Sequence, residues 1–208
     1  MKVAIVGGTG DFGLALARRL VEAGDEVVIG SRDPGRAREK AGEVGAAGGA
    51  ANEDAVTEVD LAVLATNADA ALATAAVLAD RLGTTPLLSV ASELRFTPEG
   101  VCPGADPRSL EERAQELVQA PVVAGLHSLA AGKLARGLPD EDAFVCGDDV
   151  DAKALALELA AKVVAGRALD AGPLASARAL EGMTAVIVNL NKRYTGHGGL
   201  RATGLPEA

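Results

Sequence analysis

The hydrophobic positions of this chain form short apolar runs separated by amphipathic stretches, and the alternation begins at the amino terminus. Residues 2–6 form an apolar run typical of a buried strand, and residues 14–21 carry apolar side chains at helical spacing. Gly24 is placed to end that helix, and a second apolar run occupies residues 26–30. The order strand, helix, strand predicts one βαβ unit with parallel strands.

A glycine-rich turn joins the first strand to the helix. Its glycines have the G-x-G-x-x-G spacing, in which the first permits a tight turn, the second lets the backbone approach a pyrophosphate and the third brings the helix close to the strand. Free N–H groups at a helix N-terminus also attract anions. The turn therefore predicts a dinucleotide site formed by Gly8, Thr9, Gly10, Asp11, Phe12 and Gly13.

The end of the second strand indicates which dinucleotide is bound. An NAD site usually carries Asp or Glu there, which accepts a hydrogen bond from the ribose 2′-hydroxyl. This chain has Ser31 and Arg32 instead, and Arg36 follows one helical turn later. Because a hydroxyl group and guanidinium groups suit a 2′-phosphate, these residues and Thr9 of the glycine turn favour NADP(H).

The remaining pattern predicts the fold class. Strands and helices alternate to about residue 170, the segment 92–107 is predicted to be a long irregular connection, and residues 175–194 are predicted to form a long apolar-faced segment. We predict an α/β protein with a Rossmann-type, doubly wound, mostly parallel sheet and a small C-terminal helical domain. The predicted division is an NADP-binding domain over residues 1–170 and a segment for the second substrate and dimerisation over residues 171–208.

Polar residues that follow two later strands are candidates to line the same site, since ligands of open α/β sheets lie outside the carboxyl ends of the strands. Thr66 and Asn67 are predicted to flank the cofactor, although Asn67 would equally serve as a helix N-cap. His127 either caps its strand through backbone hydrogen bonds or lines the pocket of hydride transfer. The sequence contains no pattern typical of a catalytic triad or of a metal centre.

Composition limits the class of protein further. A formal net charge of −9 and a pI near 4.8 argue against non-specific binding to nucleic acid or to an anionic membrane. The two cysteines, Cys102 and Cys146, are interpreted as free thiols in a reducing compartment. Because no apolar stretch reaches transmembrane length, we expect a cytoplasmic protein.

The C-terminal stretch 189–201 is unusual in so acidic a chain, since it places three cations, a tyrosine and a histidine beside a glycine-rich turn. One interpretation is a helix C-terminus whose cations compensate the helix dipole. The other is a site for an anionic second substrate, completed by a neighbouring subunit.

Three segments together resemble one family. They are G-G-T-G-D-F-G with G-S-R (7–13 and 30–32), V-C-G-D-D with L-D-A-G-P-L (145–149 and 169–174), and N-K-R-Y-T-G-H-G-G-L-R-A-T-G-L (191–205). The family is the NADP-dependent oxidoreductases of the 5-deazaflavin coenzyme F420, and the resemblance covers nearly the whole chain. It implies a Rossmann domain, a small C-terminal helical domain and assembly as a homodimer or larger homo-oligomer.

The resemblance implies reversible hydride transfer between C4 of NADPH and C5 of the deazaflavin. Both reactants carry their own hydride chemistry, so the protein need only stack the two rings and exclude water. His127, Ser128 and Asn67 would border the ring pocket. Phosphate and acidic groups of coenzyme F420 would meet a second set of residues: Lys133, Lys192, Arg193, His197 and Arg201.

Two departures from the family pattern lie near the expected ring site, at residues 66–68 and 92–94. They leave the NADP half unchanged and keep two alternatives open. One is an NADPH-dependent reductase of another acceptor, such as an imine, a flavin or a metal chelate. The other is a module that senses NADP(H) and is not an enzyme.

Overall fold

The strands were identified in a computed structural model that describes residues 1–206. Within these residues they are β1 (Lys2–Val6), β2 (Glu26–Ser31), β3 (Gly48–Ala51), β4 (Leu61–Leu64), β5 (Leu87–Ser89), β6 (Leu94–Thr97), β7 (Gly100–Pro103), β8 (Val122–Gly125), β9 (Ala143–Gly147) and β10 (Ala168–Asp170). The helices are α1 (Asp11–Glu22), α2 (Pro34–Val44), α3 (Asn52–Ala55), α4 (Ala68–Leu82), α5 (Leu110–Gln115), α6 (Ala131–Arg136), α7 (Val150–Val163) and α8 (Ala177–Tyr194), and a 3₁₀ turn over Leu174–Ser176 precedes α8.

Eight of the strands form one sheet in the order β10-β9-β8-β5-β4-β1-β2-β3. Neighbouring strands are parallel except for β8 and β9, which pair antiparallel. The predicted fold class, a mostly parallel α/β sheet of the Rossmann type, is confirmed. Since β9 and β10 run opposite to the other six strands, their amino ends lie at the edge where the others have their carboxyl ends.

Helices cover both faces of the sheet, and β1 shows how the sequence allows this. Val3 and Ile5 pack into one core with α1 and α7, whereas Ala4 and Val6 pack into the other core with α4 and α5. Successive side chains of a strand point to opposite faces, so a strand buried on both sides must be apolar throughout. The predicted boundary at residue 170 stays a prediction, and residues 207–208 of the predicted C-terminal segment lie outside the described residues.

The prediction of an irregular connection over residues 92–107 was wrong, because β6 and β7 pair there as an antiparallel hairpin. Pro98 lies in the turn of the hairpin, and Gly100 begins β7 opposite Thr97. Its register is fixed from outside by Asn189 of α8, which accepts from the N–H of Val101 at 2.8 Å and donates to its carbonyl at 2.8 Å. A contact over 88 residues of sequence leaves no local signal.

Two further features of the fold bear on the site. Helix α6, which the sequence pattern did not predict, packs against α1. Among the described residues, no helix combines the length and the apolar character that crossing a bilayer requires.

Candidate dinucleotide site

An open cleft of about 640 Å³ lies at the carboxyl edge of the sheet, where the ends of β1, β2 and β4 meet. Its volume is within the usual range for small-molecule sites. The glycine turn, the β2–α2 turn, the start of α3 and one face of α4 form its walls. Seven of the residues predicted to bind the cofactor line it: Thr9, Gly10, Ser31, Arg32, Arg36, Thr66 and Asn67.

The glycines of the turn have different tasks. Gly8 and Gly13 are buried beneath the cleft, where a Cβ at Gly8 would lie 2.7 Å from the carbonyl oxygen of Ile5 and a Cβ at Gly13 would lie 2.7 Å from Cα of Gly8. Only glycine fits at either position, because the turn folds closely over β1 at Gly8 and α1 approaches the turn closely at Gly13. Gly10 is exposed in the cleft and carries no side chain that would keep a pyrophosphate away.

Asp11 and Phe12, which lie between Gly10 and Gly13, were also predicted to bind the cofactor. Asp11 begins α1 and is exposed, and Phe12 packs partly buried against the core beneath α1. Neither side chain lines the cleft. Their proposed contribution is therefore limited to the backbone N–H groups of the first helical turn, which have no partner within the helix.

Hydroxyl groups and guanidinium groups meet at the end of β2. Ser31 Oγ accepts from the N–H of Asp33 at 3.2 Å and lies 3.5 Å from Thr9 Oγ1. The carboxylate of Asp33 caps α2 by accepting from the N–H groups of Gly35 and Arg36, at 2.8 and 3.1 Å. Among residues 1–206, neither Arg32 nor Arg36 has an ion-pair partner, so two exposed positive charges remain available to a ligand.

The part of the cleft wall that follows β4 also carries polar groups that remain available to a ligand. Thr66 Oγ1 is buried and has no hydrogen-bond partner among the described residues. Asn67 occupies the N-cap position of α4, yet its side chain makes no capping hydrogen bond. The capping alternative is therefore not realised by the side chain. The predicted contacts of both residues with the cofactor stay predictions.

Sequence reasoning missed several residues of the cleft. Asn52 follows β3 directly, and Ala70, Thr74 and Val77 of α4 form the opposite wall. The segment before Asn52 is so rich in glycine and alanine that its pattern does not distinguish a strand from a loop. A clear strand pattern in this segment would have placed Asn52 at the carboxyl end of a strand and so made it a candidate for cofactor binding.

His127 lies at the end of β8, but its imidazole is inside the protein, with 1% of the side chain exposed. Leu126, the residue before it, has a left-handed backbone conformation (φ 63°), a strained state for a residue with a branched side chain. His127 Nε2 lies 3.4 Å from Glu111 Oε1, while its carbonyl accepts from Thr184 Oγ1 at 2.8 Å. In this conformation neither His127 nor Ser128 lines the cleft, and their role at the ring pocket stays a prediction.

Two buried carboxylates lie beside this histidine. Glu111 accepts from Ser89 Oγ at 2.7 Å, and Glu181 is paired with Arg178 at 2.7 Å. Burial raises the pKa of Glu181, and the charge of Glu111 raises it further, while Arg178 lowers it. This buried polar cluster joins α5, α8 and the end of β8 into one unit beside the cleft.

The cations proposed for the second substrate differ in their surroundings. Lys133 Nζ lies 3.2 Å from Glu141, and Arg201 is paired with Asp140. Lys192 Nζ lies 5.5 Å from the ring centroid of Phe96, a cation–π distance. The other two, Arg193 and His197, are exposed.

Asp142 holds the C-terminal stretch in place. Its carboxylate accepts from the N–H of Ala202 at 2.9 Å and from Arg167 Nη2 at 2.9 Å, and its own N–H donates to the Leu200 carbonyl at 2.8 Å. Although burial works to raise the pKa of Asp142, these hydrogen bonds lower it to about 2. Leu200 and Ala202 are therefore fixed at the amino end of β9, on the same edge as the cleft and roughly 19 Å from β1, four strand spacings away.

The thiols and possible metal ligands add no further site. Cys146 is fully buried, and burial raises the pKa of its thiol to about 12, so it remains protonated and unreactive. Within residues 1–206, no cluster of three or more His, Cys, Asp or Glu side chains is arranged to hold a metal ion.

A Rossmann-type sheet, a glycine turn and unpaired arginines at the end of the second strand together define a dinucleotide-binding protein. Comparison with known proteins specifies the family. Residues 2–93 match the family model described as NADP oxidoreductase, coenzyme F420-dependent. The F420-dependent NADP reductase of Methanothermobacter thermautotrophicus is 36% identical, over 100% of this chain and 97% of that protein. The chain therefore belongs to the F420-dependent NADP oxidoreductase family.

Two further comparisons agree. The F420-dependent NADP reductase of Methanocaldococcus jannaschii is 31% identical over 99% of this chain and 99% of that protein. The crystal structure of a putative F420-dependent NADP reductase from Arthrobacter sp. FB24 superposes with a TM-score of 0.85 and 27% identity, covering 98% of this chain and 100% of that chain. The likeness thus includes the C-terminal part that the family model leaves unmatched.

Proposed function

We propose that this protein transfers a hydride reversibly between NADP(H) and coenzyme F420, at C4 of the nicotinamide and C5 of the deazaflavin. The observation that carries the proposal is the conjunction of full-length similarity to F420-dependent NADP reductases with a cleft suited to a 2′-phosphate. Reduction of another acceptor and a purely sensing role are not favoured, since relatives matched along their whole length carry the reductase name.

The residues of the cleft fit NADP(H). Arg32, Arg36, Ser31 and Thr9 would hold the 2′-phosphate with charge-assisted hydrogen bonds. The pyrophosphate would lie over Gly10, on the N–H groups that begin α1. Thr66 Oγ1, which is buried without a partner among the described residues, would find one in the ligand.

The hydride chemistry is supplied by the two bound cofactors themselves. The protein contributes position: it fixes the phosphates at β1 and β2, directs the nicotinamide end towards β4 and β5, and excludes water from the space between the rings. No side chain of the cleft is required to move a proton during hydride transfer. This agrees with the absence of a triad pattern in the sequence.

For the second substrate, exposed cations of the C-terminal stretch are the best candidates. Arg193 and His197 are exposed, and Lys192 lies over an exposed ring, so all three can meet acidic groups of coenzyme F420. Lys133 and Arg201 are weaker candidates because each already has an acidic partner. Leu200, near the end of the stretch, lies at the edge of the sheet that also holds the dinucleotide cleft.

We also propose that the protein is a cytoplasmic homodimer. Both cysteines are unpaired thiols, as a reducing compartment requires. Val186, Leu190 and Tyr194 are four residues apart along α8 and are 53%, 43% and 72% exposed, so they form one apolar stripe suited to a second copy. Light scattering should give twice the mass of the chain, and the mass of one chain would contradict this assembly.

Turnover tests the proposed reaction directly. Purified protein is mixed with NADPH and oxidised coenzyme F420, and the loss of deazaflavin absorbance is followed, with NADH in a parallel series. We expect rapid reduction with NADPH and much slower reduction with NADH at equal concentration. No reduction at any pH between 5 and 9, roughly the range in which such enzymes stay folded, would remove the proposal.

A further inference from the structure

Asn52 occupies a position in the cleft that its local sequence does not explain. It is the first residue of α3, directly after β3, and only 9% of it is exposed. Its side chain crosses the end of β2 to the glycine turn, where Oδ1 accepts a hydrogen bond from the N–H of Gly7 at 3.3 Å. The bond spans 45 residues of sequence.

The end of β2 is shaped to let this side chain pass. A Cβ at Gly30 would lie 2.9 Å from Asn52 Oδ1 and 3.2 Å from the Cβ of Ala55. Any larger residue at position 30 would therefore displace the amide. Gly30 is part of the G-S-R segment that the sequence indicated as a site, so the same three residues admit Asn52 and supply Ser31 and Arg32.

The hydrogen bond from Gly7 to Asn52 adds to the contacts that fix the glycine turn. Gly7 has a left-handed backbone conformation (φ 74°), and the turn after it is held by Gly8, whose N–H donates to the carbonyls of Ile5 and Gly30 at 3.1 and 3.0 Å. Asn52 adds a contact from the opposite side of β2. The turn is thus fixed before a ligand arrives, which reduces the entropy lost on binding.

The amide nitrogen of Asn52, Nδ2, has a different role from the oxygen. An asparagine amide has one acceptor oxygen and two N–H donors, and the bond to Gly7 uses the oxygen. Asn52 lines the cleft, and Nδ2 has no hydrogen-bond acceptor among residues 1–206. Since Ala51 is paired in register with Ser31, the backbone of Asn52 lies beside Ser31 and Arg32, the residues proposed to hold the 2′-phosphate, while its side chain extends to Gly7.

We propose that Asn52 is a specificity-determining residue of the cleft, whose Oδ1 fixes the glycine turn while its Nδ2 donates a hydrogen bond to the phosphorylated ribose at the adenosine end of NADP(H). The inference rests on the proposed function, because it requires that NADP(H) binds here. It assigns to one buried side chain both the shape of the turn and a part of the preference for the 2′-phosphate.

Asn52→Asp separates the two tasks. The carboxylate has nearly the shape of the amide and keeps the oxygen that accepts from Gly7, but it replaces the N–H donors with a negative charge. We expect NADPH binding, followed by nucleotide fluorescence, to weaken about tenfold to a hundredfold, the effect of losing one hydrogen bond to a charged group. NADH binding should weaken less, and the unfolding temperature should stay near that of the unaltered protein.

Two further variants make the comparison specific. Asn67→Asp introduces the same change on the other wall of the cleft, and we expect it to alter the ratio of NADPH to NADH affinity much less. Asn52→Ala removes both ends of the amide and should weaken both nucleotides and lower the unfolding temperature. Unchanged NADPH affinity in Asn52→Asp, or an equal loss for both nucleotides, would overturn the proposal.

A measurement without substitution completes the test. In the assigned NMR spectrum of the unaltered protein, the side-chain NH₂ signals of Asn52 should shift when 2′,5′-ADP, the adenosine half of NADP, is added to saturation. Signals that do not move would also overturn the proposal, even if Asn52→Asp failed to fold. If the unaltered protein bound no NADPH at all, the proposed function itself would fail, a result distinct from either outcome for Asn52.

Discussion

Two pairs of cations lie at the same edge of the sheet, and their neighbours differ. Arg32 and Arg36 are exposed in the cleft, and among residues 1–206 no carboxylate is paired with either. Lys133 and Arg201 are paired with Glu141 and Asp140, which lie just before β9. A positive charge that already has an acidic partner is largely neutralised for a ligand. The comparison indicates that the first pair is available to bind phosphate, whereas the charges of the second pair are already compensated by carboxylates of the chain.

The largest expected effect is at the unpaired pair. Arg32→Glu replaces a guanidinium that faces the 2′-phosphate with a negative charge, so we expect NADPH to bind roughly a hundredfold more weakly or worse. NADH, which lacks this phosphate, should lose much less. Titration of both nucleotides, followed by fluorescence, gives the ratio.

Arg38→Glu is the matched control for Arg32→Glu. Arg38 is exposed on α2 but does not line the cleft, so the same charge reversal is made at a distance from the ligand. We expect nearly unchanged NADPH affinity. Equal losses for NADPH and NADH in Arg32→Glu would mean that Arg32 does not contact the 2′-phosphate.

The next largest effect is expected at Asp142, whose carboxylate fixes the end of the C-terminal stretch. Asp142→Asn removes a buried carboxylate that fixes the C-terminal stretch, and we expect a loss of at most about 2 kcal/mol in the free energy of unfolding at pH 7. Its pKa is lowered from 3.8 to about 2 in the folded protein, so its contribution is complete above about pH 4 and disappears as the pH falls towards 2. Urea unfolding at several pH values measures the difference.

Asp140→Asn is the control for Asp142→Asn. Its side chain is 80% exposed, and an exposed ion pair contributes little to stability. The neighbouring substitution should therefore leave the unfolding free energy nearly unchanged. A deficit in Asp142→Asn that stayed constant from pH 7 to pH 2 would show that the ionised carboxylate is not its cause.

The smallest effects sharpen the comparison within the second-substrate set. Lys133→Met should lower the unfolding free energy by about 1 kcal/mol, because Glu141 loses its partner, and should leave the KM for coenzyme F420 near its original value. Arg193→Met should raise the KM for coenzyme F420 about threefold and leave the unfolding free energy unchanged. Steady-state kinetics and urea unfolding are measured for both variants. If Lys133→Met raised the KM and Arg193→Met lowered the stability instead, Lys133 would be the residue that binds the substrate.

Much of the fold was predictable because its signals are local. The apolar run of β1 has the bounds that the pattern indicated, and the glycine turn with Ser31 and Arg32 lies where the spacing placed it. The hairpin β6–β7 was not predictable, since its register depends on Asn189, far along the chain. His127 was correctly placed at a strand end, but its side chain lies inside the protein beside Glu111 of α5, a contact that the local sequence does not indicate.

The sequence by itself determined the dinucleotide cleft, because a glycine turn, a strand and the two residues that end it act through their own backbone and short-range geometry. The tertiary structure alone decided which polar groups remain free for a ligand. Asn52 meets Gly7 and Asp142 meets Ala202 only after the sheet has brought distant segments together. Hydrogen bonds and ion pairs act over a few ångströms of space, and one chain's spacing in sequence does not specify that distance.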